Sequence, residues 1–409
     1  MKKEDKTKLK TRDADACIAL GVSSSIAAYK AADLVSRLVK LGVEVNVIMT
    51  ENATKLVAPR TFLTLSQRPV ITSLWETPDW RPEHIALSEK AQLLVIAPAT
   101  ANVIAKLAHG IADDALLTFA LAHEGPVLVA PAMNPKMWRH PAVRENCRIL
   151  KERGVIFVYP ESGPVACGDE QDAGRLADVG RICNAVEAHL AVSDELRRVG
   201  RNRRLVVTAG PTRENLDPVR FLTNRSSGKM GYAVAEAASA MGFETVLISG
   251  PVNLPLPANC EVLKVSTAAE MNEAVMREFG KAEALVMCAA VADFTPAEKA
   301  VNKLKKGAVD SLQLSLQRTP DILANVAEIK TGAQTVIGFA AESGDPIPEA
   351  RRKLAEKRLD LVVANDISRD DIGFGSQDNE VTLVSDGESE KLPRLAKIKL
   401  AVKILAKTF

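Results

Sequence analysis

The sequence predicts an α/β protein of two doubly wound domains, on three observations. Short apolar runs of strand length alternate with amphipathic stretches of helix length, the βαβ pattern of a parallel sheet. The alternation stops at a seam dense in arginine and poor in apolar residues, ELRRVGRNRR (195–204), and then restarts. At 409 residues the chain is also too long for one ordinary core, at roughly 150 residues per domain.

In the first half the strand candidates are ACIALG (16–21), VEVNVIM (43–49), QLLVIAP (92–98), VLVAP (127–131) and VIFVY (155–159). Between the first two, Ile26 to Leu41 carries apolar residues at helical spacing, among them Leu34, Val35, Leu38 and Leu41. In the second half the candidates are RLVVTAG (204–210), FETVLISG (243–250), EVLKV (261–265), ALVMCAA (284–290), TVIGFA (335–340) and LDLVVAN (359–365). The expected organisation is a charged tail over 1–15, a first domain over 16–190, a solvated linker over 191–204 and a second domain over 205–409.

Composition removes several function classes. Hydrophobic residues at 47% and charged ones at 25% are ordinary for a packed globular chain. A net charge of +2 gives no electrostatic case for nucleic acid, which needs clustered Lys and Arg. The N-terminal MKKEDKTKLKTRDAD lacks the apolar core of a secretory signal, and no run of about 18 apolar residues suggests a membrane span. Cys17, Cys147, Cys167, Cys183, Cys260 and Cys288 show no CxxC spacing, so neither a zinc site nor a disulfide framework is indicated and a cytoplasmic location is expected. No strand is followed by GxGxxG, and SSGKM (226–230) lacks the earlier glycine of a P-loop.

Chemistry-bearing residues cluster just past the strand candidates, where open α/β sheets bind ligands. Ser23, Ser24 and Ser25 stand between a strand and a helix expected to start near Ile26. They read equally as a phosphate cradle or as an ordinary N-cap. His84, in PEHIALS, has an unperturbed pKa of about 6.5, which suits proton transfer, although a lone histidine is more often structural. Histidines 109, 123, 140 and 189 read as surface or packing residues. Asn134, in PAMNPKMW, offers a carboxamide that can hold a carboxylate, or simply ends a strand. Cys167, in SGPVACG, is either a small inert hydrophobe or a thiol acid in a lid-like stretch.

In the second half, GPTRENLDPVRFLTNRSSGKMG (210–231) is a long polar stretch in which Arg220, Asn224, Ser226 and Ser227 form an anion-binding surface or a plain surface loop. In CAAVADF (288–294) small alanines admit a nucleotide, and Asp293 can bind a sugar hydroxyl or a hydrated Mg2+. The basic run KLKK (303–306) is a phosphate contact or a solvated face, and the glycines of IGFGSQDN (372–379) suggest a flexible flap.

His84, Asn134 and Cys167, in that order, resemble flavin-dependent cysteine decarboxylases. TAGPTRENLDPVRFLTNRSSGKMG, CAAVADF, KLKK and ANDISRDDIGFGS add a second match. Together they resemble bifunctional phosphopantothenoylcysteine decarboxylase / phosphopantothenate-cysteine ligase of coenzyme A biosynthesis, over roughly residues 16–405. The resemblance implies a flavodoxin-like flavoprotein domain followed by a Rossmann-like ligase domain. It implies FMN held by Ser23, Ser24, Ser25, Thr50, Ser88, Thr100, Asn102 and Met133, though each of the threonines and serines by itself reads as a cap or turn residue. His84 becomes the base or substrate-orienting group, Asn134 the carboxylate anchor and Cys167 the proton donor to the enethiolate left by decarboxylation. CTP is implied at Met287, Cys288, Ala289, Asp293, Lys303, Pro320, Asp321, Ile322, Leu323, Phe339, Lys353 and Lys357, with Mg2+ at Asp293. Lys303 would stabilise the leaving pyrophosphate, while Arg220 and Asn224 would hold 4'-phosphopantothenate and its acyl-cytidylate before L-cysteine displaces CMP. Trimeric decarboxylase contacts and dimeric ligase contacts are implied as well. The chain departs from its relatives at Ser24, often glycine, and in the longer, less glycine-rich DEQDAGRLAD after Cys167. A regulatory protein without catalysis and a flavin oxidoreductase outside coenzyme A synthesis remain as rival readings.

Overall fold

The computed structural model describes residues 16–75, 83–163, 172–304, 312–342, 344–366, 368 and 375–409, without the side chains of 83–86. The chain divides into two compact units, Met1–Leu190 and Ala191–Phe409.

The first unit is built on one parallel sheet of β1 (Cys17–Val22), β2 (Glu44–Met49), β3 (Leu93–Ala99), β4 (Val127–Pro131) and β5 (Ile156–Phe157), in the order β2-β1-β3-β4-β5. β1 and β3 are buried along their whole length, which is why they read as unbroken apolar runs. The helix Ala28–Lys40 buries Ala28, Ala31, Leu34, Val35 and Leu38 against the sheet, while Leu41 lies beyond its last turn and is exposed. It begins two residues later than expected because the amide of Ser25 bonds the Ser23 carbonyl and that of Ala28 bonds the Ser25 carbonyl, closing a turn first. Gly21 has no Cβ for a reason of space: one would stand 2.4 Å from Leu116 Cδ1, in the helix Ala115–Ala122 that packs there. Two short antiparallel strands, β6 (Glu161–Ser162) and β7 (Ala173–Arg175), follow β5.

The second unit holds an eight-stranded sheet. Its parallel strands are β8 (Arg204–Ala209), β11 (Glu244–Ser249), β12 (Glu261–Lys264), β13 (Ala284–Met287), β16 (Thr335–Glu342) and β17 (Leu361–Asp366). Two antiparallel strands, β18 (Asp378–Val384) and β19 (Ser389–Ala396), complete the order β12-β11-β8-β13-β16-β17-β18-β19. The first six reproduce the 3-2-1-4-5-6 order of dinucleotide-binding sheets. Two ribbons branch from it, β9 (Arg213–Asn215) with β10 (Phe221–Thr223) and β14 (Phe294–Pro296) with β15 (Leu316–Arg318). The sequence reading missed β18, β19 and both ribbons, because their alternating or polar composition carries no continuous apolar run.

Two expectations change here. The stretch over 195–204, expected as a solvated linker, is structured: Leu196–Arg198 forms a 3-10 turn, Gly200 is buried against Phe243, and Arg204 opens β8 paired with Glu244, Glu261 and Glu278. The expected flap over 372–379 is partly a strand, since Asp378 and a buried Asn379 belong to β18, while 372–374 lie outside the described residues.

Candidate active sites

In a doubly wound sheet the ligand crevice opens where the strand order reverses, beyond the C-terminal strand ends. In the first unit that point lies between β1 and β3. Ser23 is buried there and holds the two strand ends together: its hydroxyl donates to the Pro98 carbonyl at 2.8 Å and accepts from the Thr100 amide at 3.0 Å. Its amide also bonds Pro98, so Ser23 shapes the crevice with its polar groups already engaged. Ser24 is exposed and Ser25 half-buried, its hydroxyl accepting from the Ala27 amide. Thr100 caps the helix Ala101–His109 through the Val103 amide, and Asn102 is exposed on that helix's first turn. Thr50, at the C-terminal end of β2, differs from these. Its hydroxyl is buried and has no hydrogen-bond partner among the described residues. A buried hydroxyl left unpaired costs about 1–3 kcal/mol, so a polar ligand group entering beside it is favoured.

Beyond β4, Asn134 is a helix cap as well as a candidate anchor. Its Oδ1 accepts from the Lys136 amide at 2.8 Å at the head of the helix Pro135–Arg139. The amide of Met133 bonds the Gly174 carbonyl at 2.9 Å, and a Cβ on Gly174 would stand 2.6 Å from the Met133 carbonyl. The β6–β7 ribbon is therefore seated directly on the turn that carries Asn134. Cys167 falls between those two strands in sequence, outside the described residues. The backbone of His84 lies in the first turn of the helix Glu83–Lys90, with its side chain outside the described residues. That helix ends beside the start of β1, where Gln92 bonds the Cys17 carbonyl. Ser88 is half-buried on the same helix.

The remaining histidines divide between packing and the surface. His123 is buried and stacked on Phe119 at 5.6 Å, and His189 is buried, whereas His140 caps the helix Pro141–Glu152 and His109 contacts Asn146.

In the second unit the order reverses between β8 and β13. The Thr208 hydroxyl accepts from the amides of Cys288 and Ala289, both at 3.1 Å, which fixes the chain just past β13. Asn224 reaches across from the end of β10, donating to the carbonyls of Ala290 and Val291 at 3.2 and 3.0 Å. Gly228, in the left-handed region at φ 76°, turns the chain into the helix Lys229–Ala240. Between these pieces opens a cavity of about 360 Å³, bordered by Asn224, Ser226, Ser227, Lys229, Cys288 and Phe339. Burial pushes the Cys288 thiol up to about 12, so it stays protonated at neutral pH.

Around this cavity the expected residues separate into two groups. Arg220 donates to the Leu304 carbonyl at 2.6 Å, and the buried Asp217 accepts from the amides of Val219, Arg220 and Leu304, which pins the segment bearing an exposed Lys303. Asp293 is exposed, and Met287 is buried with its sulfur against Thr208. Lys305 and Lys306 lie outside the described residues. Pro320 is exposed, but Ile322 and Leu323 are core residues, and Asp321 caps the helix Ile322–Ile329. Lys353 and Lys357, expected at the CTP site, each also make a contact within the protein. Lys353 is in the helix Ile347–Glu356 and donates to the Phe339 carbonyl at 2.7 Å, while Lys357 stands past its end, paired with Asp321 at 2.7 Å.

Sequence reasoning missed Lys397, the first residue of the helix Lys397–Thr408, which is buried and borders the same cavity with Asn365 and Asn379. No local motif marks it. Only the packing of its helix against Lys229–Ala240 brings it there.

A 2-1-3-4-5 sheet with a hydroxyl-lined crevice, followed by a 3-2-1-4-5-6 sheet with a lysine-bordered cavity, defines two doubly wound α/β domains in one chain, the first of flavodoxin-like order. Residues 6–191 match the model of the family described as "Flavoprotein", and 200–409 match the "DNA/pantothenate metabolism flavoprotein C-terminal domain". The chain is 45% identical, over 95% of each chain, to the "Coenzyme A biosynthesis bifunctional protein CoaBC" of Bacillus subtilis. It is 42% identical, over 92% of each chain, to the protein of that name from Escherichia coli. A crystal structure of the C-terminal domain of such a protein is 40% identical, covering 51% of this chain and 94% of its own at a TM-score of 0.44. The chain belongs to the bifunctional CoaBC family and is a two-activity flavoprotein enzyme of coenzyme A biosynthesis. Among the described residues no helix is long and apolar enough to cross a membrane.

Proposed function

We propose that the second unit joins L-cysteine to 4'-phosphopantothenate at the expense of CTP, and that the first unit decarboxylates the resulting 4'-phosphopantothenoylcysteine to 4'-phosphopantetheine with FMN. The observation that carries this reading is the 45% identity running through 95% of both chains, so that both crevices belong to one protein as they do in its relatives.

In the ligase unit the substrate carboxylate attacks the α-phosphate of CTP and pyrophosphate leaves, giving an acyl-cytidylate. The cysteine amine then attacks the acyl carbon and CMP departs. Asn224, held by two backbone carbonyls, orients the acyl group, and Arg220 faces the same substrate. Lys303 supplies positive charge to the departing pyrophosphate. The single exposed carboxylate of Asp293 suits Mg2+, which keeps several waters and binds mainly through the triphosphate. The core positions of Ile322 and Leu323 leave them a shaping role beneath the nucleotide, and the Asp321–Lys357 pair holds the same edge.

In the decarboxylase unit the unpaired Thr50 hydroxyl, the Ser24 and Ser25 turn, Thr100, Asn102, Ser88 and Met133 fit a flavin mononucleotide at the β1/β3 crevice. FMN supplies the two-electron oxidation that makes loss of the carboxylate easy and returns those electrons afterwards. His84 receives the thiol proton or orients the substrate, Asn134 holds the carboxylate before carbon dioxide leaves, and Cys167 protonates the enethiolate. A reducing cytoplasm suits the free thiols, and the exposed Val219, Phe221, Phe294 and Leu316 on the two ribbons support pairing of ligase units within an oligomer whose decarboxylase units form trimers.

Mass spectrometry of the purified protein incubated with 4'-phosphopantothenate, cysteine, CTP and Mg2+ tests the reading. Conversion to 4'-phosphopantetheine, lost when CTP is omitted or Cys167 is replaced by serine, is the expected result. Absence of any product from flavin-loaded protein would instead favour a regulatory protein.

A further inference from the structure

Asp217 takes no part in the ligation chemistry above, yet its carboxylate is wholly buried in the turn that joins β9 to β10. Its two oxygens divide their partners. Oδ1 closes the turn itself, accepting from the amides of Val219 at 2.7 Å and Arg220 at 2.8 Å. Oδ2 reaches outside the turn and accepts from the Leu304 amide at 3.0 Å, across 87 residues of sequence, with Arg220 Nε 3.7 Å away. The Leu304 carbonyl in turn accepts from the Arg220 guanidinium at 2.6 Å, and the Leu216 carbonyl accepts from the Ala300 amide at 3.0 Å. Both main-chain polar groups of Leu304 are therefore held by side chains of one turn, and the adjoining Lys303 is exposed.

A turn of this kind needs one side-chain oxygen, which asparagine supplies as well and serine more weakly. A second, charged oxygen is costly to bury unless something meets it, and what meets it here is the segment that carries Lys303. We propose that Asp217 is a positioning residue for Lys303, fixing through Oδ2 the main chain from which that ammonium acts. This rests on the ligase reading above, in which Lys303 supplies positive charge to the departing pyrophosphate. A lysine is a point charge on a flexible four-carbon stem, so its effect on a transition state depends on where its backbone is held.

Asp217→Asn separates the two oxygens. The carboxamide oxygen still closes the turn, while the new NH2 meets the Leu304 N–H, and two donors cannot bond. Pyrophosphate release by the flavin-loaded full chain, with cysteine omitted, reports the acyl-cytidylate step alone. Its rate should fall about ten- to a hundred-fold, the cost of a small misplacement, with both KM values within about three-fold of wild type. A double-mutant cycle supplies the readout that a merely structural role would not move. On the residual rate of Lys303→Gln, adding Asp217→Asn should cost less than about two-fold more, because the group it positions is already gone. Hydrogen exchange at the Leu304 amide, followed by mass spectrometry, should lose protection in Asp217→Asn.

The proposal is overturned if the two losses multiply in the cycle or if Leu304 exchanges as in wild type. A rise confined to the KM for 4'-phosphopantothenate also overturns it, placing the action of Asp217 on Arg220 instead. Should Asp217→Asn fail to fold, Asp217→Ser takes its place in every measurement, since its hydroxyl closes the turn but is too short for Leu304. If wild type releases no pyrophosphate while Leu304 protection still depends on Asp217, the hold on that segment stands and it is the ligase reading that fails.

Discussion

The two crevices occupy the same topological place in their sheets, yet they are furnished in opposite ways. At β1/β3 the polar groups are neutral hydroxyls: Ser23 and Thr100 spend theirs on the protein itself, and the buried Thr50 hydroxyl has no partner among the described residues. At β8/β13 two charged groups, Lys229 and Lys397, stand at helix starts, beside the neutral carboxamide of Asn224, which donates to two carbonyls. A reagent that brings its own redox chemistry needs a rigid, shaped slot. Phosphates that must be held while charge moves between them need fixed cations. The same fold logic thus serves two chemistries through the side chains at strand ends, as expected when function resides in the site rather than the fold.

The sharpest way to separate the crevices is Asn134→Asp. It keeps the cap oxygen that accepts from the Lys136 amide but sets a negative charge against the substrate carboxylate. Decarboxylation should fall about a hundred-fold or more, with ligation unchanged, because misplacing one reacting group costs that much. If decarboxylation survives in coupled and single-step assays, Asn134 is only a cap.

Gly231→Ala attacks the other crevice through its scaffold. The new Cβ would stand 2.6 Å from Ala209 Cβ and 2.8 Å from the Thr208 carbonyl, forcing the helix Lys229–Ala240 off β8. Overpacking of this kind costs about 1–3 kcal/mol, and ligation should fall while flavin absorbance stays bound to the protein. A chemically induced unfolding curve identical to wild type would show that the helix can shift without loss.

Ser23→Ala removes one hydroxyl that serves both Pro98 and Thr100. We expect a loss of about 1–2 kcal/mol in the stability of the first unit together with weaker flavin retention, because the Thr100 amide loses its partner. Ser24→Ala should weaken flavin retention without the stability loss, and equal destabilisation by both would contradict the division of labour drawn here.

The smallest effect is a pH dependence. His123 is buried, and burial lowers its pKa from 6.5 although the backbone groups of Ser88 and Pro126 act to raise it. Folding therefore favours the neutral ring. Its contribution costs nothing above about pH 6.5 and destabilises the first unit as pH falls below that value. Replacing His123 with glutamine should flatten the fall in thermal midpoint between pH 7 and 5, and an unchanged slope would place the acid sensitivity elsewhere.

Much of this was legible in residue order. Buried parallel strands must be apolar on both faces, so β1, β3, β8, β11 and β13 announce themselves, and ligand-bearing turns follow such strands in open α/β sheets. Asn134, Asn224 and Ala289 were therefore found as candidates from local sequence, and Cys288 through the family resemblance. The engagement of Lys353 by Phe339 and of Lys357 by Asp321 was not, since the partners lie 14 and 36 residues away. Nor was the burial of Lys397, which a linear reading places in an ordinary amphipathic C-terminal helix.

What the sequence by itself determined is therefore the alternation, the two domains and the strand-end motifs, because periodicity and turn chemistry are local properties of the chain. Which polar groups remain available to a ligand was decided only in the tertiary structure. Hydrogen-bond satisfaction and burial depend on neighbours that packing brings from distant positions, as with Ser23 to Pro98 and Lys397 to the helix that Lys229 begins.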